Sequence, residues 1–163
     1  MGDEQSREQT RDDNQMRPFE RSLPMALLRA REAVMRGFRR VLRSHGLNEQ
    51  EWRIIRALME VDQIEIGELA ERVFILKPSA TRTIKNLQAR GLVTRARSKV
   101  DHRRVFISLT TEATELFHTL APKNEAEYSR ITGIIGEQEM QRLYDMLSQV
   151  TNRLNGGGSG EHS

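Results

Sequence analysis

Between Asn48 and Leu109 the chain changes its hydrophobic period once, and a single glycine, Gly91, marks the change. Before Gly91 the apolar residues recur every three or four positions, as on helices. After it they fall into two short β-rich runs, Leu92–Arg97 and Val105–Leu109, separated by Ser98–Arg104. Asn48 is placed to cap a helix over Glu49–Met59, and Glu51 at its third position can complete a capping box. The buried stripe of that helix is Trp52, Ile55, Leu58 and Met59. After a short segment at Asp62–Glu65, a helix is expected over Ile66–Val73, a turn at Phe74–Leu76, and a helix over Pro78–Arg90. Pro78 suits a first helical position, and Gly91 suits the left-handed position past a helix end. Two short helices, a tight turn and a hairpin make a helix-turn-helix with a β wing.

The flanks are helical. Ser22–Ser44 carries Leu23, Leu27, Ala30, Val34, Phe38 and Val41 on one face, and Arg29, Arg36, Arg39, Arg40 and Arg43 on the other. His45 and Gly46 end it. Thr110 or Thr111 caps a long helix, about Glu112–Ile131, with a break near Gly133–Gly136. The last helix, Glu137–Leu154, has the stripe Met140, Leu143, Leu147, Val150 and Leu154. The expected fold is mainly α with a small β-hairpin wing: a winged helix-turn-helix at 48–110 and a helical region at 21–47 and 111–154 whose stripes face a core or a dimer partner, the dimerisation region of the resemblance described below. Residues 1–20 read as a disordered polar arm and 155–163 as a flexible tail. Hydrophobic residues make up 37% of the 163, a modest share, so part of the apolar surface is expected to be buried against a second copy.

Charge is segregated. From Lys77 to Arg104 there are nine cations and one acid, Asp101, whereas the whole chain carries only +3. A local excess of that size favours a polyanion as partner, with steep salt dependence. On the helix at Pro78–Arg90, Ala80, Ile84 and Leu87 share an inward face. The opposite face carries Pro78, Thr81, Arg82 and Lys85, flanked by Ser79 and Asn86. Such side chains reach phosphates and base edges of double-stranded DNA. The expected DNA-binding set is Lys77, Pro78, Ser79, Thr81, Arg82, Lys85 and Asn86 on the helix, with Arg97, Lys99, Arg103 and Arg104 on the wing. Arg103 sits near the wing tip, suited to a narrow minor groove. Asp101 has two readings: an acceptor that orients the wing and aims Arg103, or a simple turn-former.

Other function classes find little support. With no cysteine, a disulfide framework, a thiolate nucleophile and a Cys-based zinc site are excluded. No phosphate loop, nucleophile elbow or metal-ligand spacing appears, so no enzyme and no cofactor is expected. His45, His102, His118 and His162 are too dispersed for a metal site. No apolar run approaches the ~18 residues of a membrane span, and no signal peptide is visible, so a cytoplasmic location is expected.

The runs Ile66-Gly67-Glu68-Leu69-Ala70, Pro78-Ser79, Thr81-Arg82, Leu87 and Arg90-Gly91-Leu92-Val93, then Asp101-His102-Arg103-Arg104 and Ile107-Ser108-Leu109-Thr110, resemble the MarR family of winged helix-turn-helix regulators. The resemblance covers Ser22 to about Leu154. Lys77 departs from it, standing where a capping Ser, Thr or Asp is expected. The resemblance implies a homodimer joined through the first and last two helices, and a pseudo-palindromic operator with half-sites about one turn apart. It also implies repression relieved by small aromatic acids. Further likeness, in Ser22-Leu23, Ala26-Leu27-Leu28, Ala30-Arg31-Glu32-Ala33, His45, Leu47, Glu49-Gln50 and Trp52-Arg53-Ile54, points to the branch that represses homoprotocatechuate degradation. The effector implied is 3,4-dihydroxyphenylacetate or 4-hydroxyphenylacetate. An aromatic carboxylate needs an apolar slot and a cation, for which the candidates are Ser22, Arg31, His45, Trp52, Arg53 and Arg56. Each has an ordinary alternative: core for Trp52, helix end for His45, solvated surface for the arginines. A regulator of efflux or stress genes, one without an effector, and a winged helix used for protein contacts are the competing functions.

Overall fold

The computed structural model describes residues 16–98, 100–101 and 103–156. These fall into two compact units, one up to Arg36 and one from Gly37. The first unit holds a 3-10 turn, Phe19–Arg21, and most of α1 (Leu23–Arg43). This turn begins at the end of the segment read as a loose arm, of which residues 1–15 lie outside the described residues. The Ser22 carbonyl accepts the Ala26 N–H at 2.9 Å, which starts α1, and Arg29 reaches back to the Glu20 carbonyl at 2.7 Å. Leu23, Leu27, Leu28 and Val34 are all exposed.

The second unit contains α2 (Glu49–Leu58), β1 (Ile64–Glu65), α3 (Ile66–Arg72), α4 (Lys77–Ala89), β2 (Val93–Arg97), β3 (Val105–Leu109), α5 (Thr111–Ile135) and α6 (Glu137–Gly156). The expected hairpin is present, with Val93 opposite Leu109 and Arg97 opposite Val105. The segment at Asp62–Glu65 holds a third strand that hydropathy does not reveal. Two residues are too few to show alternation, yet Ile64 pairs with Ile107 and Glu65 with Phe106, giving the antiparallel order β1-β3-β2. The core lies between α2, α3, α4 and this sheet, around Ile54, Ile55, Leu58, Leu69, Ile84, Leu87 and Ile107, and continues to Leu120 of α5.

Local chemistry explains the joints. Asn48 and Glu51 form the expected capping box of α2. At the end of α4, Gly91 adopts φ +70°. Its N–H bonds the Gln88 carbonyl at 3.0 Å while the Leu92 N–H bonds the Leu87 carbonyl at 2.9 Å, the paired closure of a Schellman motif. Thr110 caps α5 through the Ala113 N–H, and its own hydroxyl donates to the Gly91 carbonyl at 2.7 Å. The hairpin's exit is thus tied to its entrance.

Three expectations about helix ends need correction. Helix α4 begins at Lys77, with Leu76 as a cap that supplies no side-chain bond. Helix α5 runs through Pro122 and Gly133 to Ile135, so the break shrinks to Gly136 at φ +97°. Pro122 is tolerated because it and His118, whose carbonyl it leaves without a helical donor, are both exposed to water. Helix α6 extends to Gly156 and takes in the start of the expected tail. The α3–α4 turn holds a surprise of another kind. Phe74, 89% exposed, occupies the left-handed position at φ 51° and closes α3 as Gly91 closes α4. A side chain there costs on the order of 1–2 kcal/mol and gains no burial in return. Phe74→Gly is therefore expected to raise unfolding stability by about 1 kcal/mol, seen as a higher urea midpoint at unchanged slope.

Candidate nucleic-acid interface

Helix α4 buries Ala80, Thr83, Ile84 and Leu87. Lys77, Pro78, Arg82, Lys85 and Asn86 are exposed, and Ser79 and Thr81 are half-buried. Thr83 is the buried member that the periodicity missed. Its hydroxyl satisfies itself on the Ser79 carbonyl at 2.9 Å, which lets it pass for an apolar residue. No acid stands in the first turn of α4, and no side chain caps it. The positive end of the helix dipole therefore adds to Lys77 and Arg82.

The pose of α4 is set by one carboxylate. Glu51, 2% exposed, accepts the Asn48 N–H at 2.9 Å on one oxygen. Its other oxygen accepts Asn86 Nδ2 at 2.7 Å and Arg90 Nη1 at 3.1 Å. Asn86 thus commits its amide nitrogen to the protein. Beside this contact the start of α2 and the outer face of α4 enclose a polar cavity of about 310 Å³, lined by Asn48, Gln50, Glu51, Arg82, Thr83 and Asn86.

The wing is held by its own short side chains. Ser98 Oγ accepts the N–H groups of Val100 and Asp101 at 3.2 and 3.1 Å. Asp101 Oδ1 accepts the Arg103 N–H at 3.0 Å, and the Arg104 N–H bonds the Asp101 carbonyl at 2.9 Å. Asp101 is therefore a turn-former, and by the same bond it fixes the backbone that carries Arg103. Arg97 and Arg103 are exposed. Arg104 is engaged with Glu65 at 2.8 Å, its guanidinium over the Phe106 ring at 5.3 Å. Lys99 and His102 lie outside the described residues.

Four of the six expected ligand residues lie in the second unit and engage different neighbours there. Ser22 and Arg31 belong to the first unit, where Arg31 pairs with Glu32 at 2.9 Å. His45 closes α1 through the Val41 carbonyl at 3.0 Å and meets Lys123 Nζ at 2.8 Å. Arg53 donates to the Val73 carbonyl at 2.8 Å, at the end of α3. Trp52 is buried and stacks on Phe117 of α5, ring centroids 5.4 Å apart. Arg56 is exposed and approaches the Tyr128 hydroxyl at 3.5 Å. Between Phe117 and Tyr128 on the same helix, Asn124 is buried with its Oδ1 unpartnered. Sequence reasoning overlooked Tyr128 and Asn124, although the spacing Phe117, Leu120, Asn124, Tyr128 and Ile131 marks one helical face.

Known proteins resemble this chain in both sequence and structure. A family model described as MarR family matches residues 45–104. The homoprotocatechuate degradative operon repressor of Escherichia coli is 38% identical over 128 residues, covering 78% of this chain and 86% of the repressor. The HTH-type transcriptional regulator FarR of Neisseria gonorrhoeae is 35% identical over 129 residues, covering 79% of this chain and 88% of FarR. Among solved structures, NadR in complex with 4-hydroxyphenylacetate superposes with a TM-score of 0.69 at 34% identity, covering 83% of this chain and 96% of NadR.

The Asp101 bond has a direct readout. Asp101→Ala should speed hydrogen exchange of the Arg103 amide by about tenfold or more, whereas Asp101→Asn, which keeps the acceptor, should leave it slow. Equal rates in both variants would remove Asp101 from the wing's support.

Proposed function

The chain belongs to the MarR family of transcription regulators, and from that premise we propose that it is a dimeric repressor of an aromatic-acid catabolic operon, released by a hydroxyphenylacetate-type carboxylate. The family consists of regulators rather than enzymes. The observation that carries the DNA-reading part is the separation of charge: nine cations against one acid between Lys77 and Arg104, with Lys77, Arg82 and Lys85 exposed on α4 and Arg97 and Arg103 exposed on the hairpin. Lys77, Ser79, Thr81, Arg82 and Lys85 would meet the major groove and its phosphates, with Pro78 setting the helix start. Arg97 would meet backbone and Arg103 the minor groove. Two such heads, joined by residues 21–47 and 111–154, would read a pseudo-palindrome. The exposed Leu23, Leu27 and Leu28 at the start of α1 and the absence of any buried residue on α6 support that joint. Within the described residues no helix is long and apolar enough to cross a membrane.

The effector reading rests on likeness and chemistry together. NadR is similar to this chain and its structure holds 4-hydroxyphenylacetate. His45 closes its own helix and Arg53 closes the end of α3, which favours Arg56 with Tyr128 as the carboxylate-binding pair. Trp52 would supply the aromatic wall, and the unpartnered Asn124 oxygen an acceptor for a phenolic hydroxyl.

The DNA immediately upstream of its own gene is the test fragment. Affinity should fall on the order of 10³-fold between about 50 and 200 mM salt, and a salt-insensitive complex would contradict phosphate contact. Arg103→Ala should weaken the complex by about 1–3 kcal/mol with the dimer intact. In a second experiment, 4-hydroxyphenylacetate and 3,4-dihydroxyphenylacetate are titrated into the DNA complex. Release by either is expected for the wild type and loss of release for Arg56→Ala; no release by both acids would remove the effector from the proposal.

A further inference from the structure

We propose that Glu65 is a positioning residue for the wing: it holds Arg104 against the sheet, and Arg104 thereby braces the hairpin rather than contacting DNA. The inference rests on the wing reading DNA, as argued above. Glu65 stands at the seam of two elements. It is the second residue of β1, paired with Phe106 of β3, and it is also the N-cap of α3. A capping residue ordinarily bonds the first free N–H groups of its helix, but Glu65 makes no such bond. Its carboxylate instead accepts Arg104 Nε at 2.8 Å, and the guanidinium lies over the ring of Phe106, the residue that Glu65 faces across the strands. One arginine, at the residue before β3, is thus held by a carboxylate and a ring together, which favours a single orientation. Its main-chain atoms close the wing turn as well: the Arg104 N–H meets the Asp101 carbonyl and its carbonyl meets the Ser98 N–H at 3.0 Å. Fixing Arg104 therefore fixes the base of the loop that carries Arg103, and ties that loop to the first turn of the helix-turn-helix.

Two readings of Arg104 predict opposite signs. If Glu65 is only a surface acid near a phosphate-binding face, removing it strengthens DNA binding. If Glu65 braces the wing, removing it weakens binding although a negative charge has gone. The experiment measures affinity for the duplex immediately upstream of its own gene, over a salt series, for the wild type, Glu65→Ala, Arg104→Ala and the double variant. Melting temperatures confirm that every protein is folded at the assay temperature. We expect both single variants to bind on the order of three- to tenfold more weakly. The double variant should be no weaker than the weaker single one, the salt slope should stay within error of the wild type, and cleavage protection should be lost only in the minor groove flanking each half-site. A salt slope reduced by about one in Arg104→Ala alone would make Arg104 a phosphate contact and overturn the inference. So would tighter or unchanged binding by Glu65→Ala. A wild-type protein that fails to bind the fragment would instead remove the DNA-reading premise, and this inference with it.

Discussion

The DNA-reading head depends on the carboxylate of Glu51. Burying an ionised group at this depth costs several kcal/mol unless donors replace its water. Here three do so, one from its own helix start and two from α4. The same atoms that cap α2 therefore fix how α4 lies against it. Core packing seats α4 through Ala80, Thr83, Ile84 and Leu87, and the bonds of Glu51 to Asn86 and Arg90 tie it to α2 as well, with Lys77, Arg82 and Lys85 left exposed.

The cations of the central segment then divide by what they touch. Arg90 and Arg104 face acids that lie outside the segment, Glu51 and Glu65. Both pairs connect elements distant in the chain: α2 to α4, and β1 to the wing. Arg82, Lys85, Arg97 and Arg103 stay exposed with none of these attachments. A count of charges treats all nine cations alike, but Arg90 and Arg104 are paired with acids, and the proposed DNA contacts fall to cations outside those pairs. Rigid support behind an exposed contact set lowers the ordering cost of binding.

Local signals in the sequence were sufficient for much of this. The capping box at Asn48 and Glu51, the glycine after α4, the threonine before α5 and the inward stripe of α4 each depend on residues within one turn of each other. What escaped depends on distance or on exceptions. The second duty of Glu51 needs Asn86 and Arg90, far along the chain. β1 is too short to show a period, and its existence depends on β3 being there to pair with. Phe74 in a left-handed conformation runs against its residue type, so no composition rule finds it. Pro122 inside α5 is permitted by exposure, a tertiary property. Among the candidate ligand residues, the residue types were suitable but their directions were not legible. Arg53 and Arg56 are three apart on α2, yet one turns to α3 and the other to α5.

On the proposed function, the reading surface is built before DNA arrives, through the Glu51 carboxylate. The side-chain amide of Asn86 reports on that bond directly by NMR. Its two protons should exchange slowly in the free protein, with one of them shifted by the carboxylate, and the same signature should persist when the DNA fragment is added. An Asn86 amide that exchanges at the solvent rate in the free protein, and becomes protected only with DNA, would show that the surface is assembled on binding and would contradict the account.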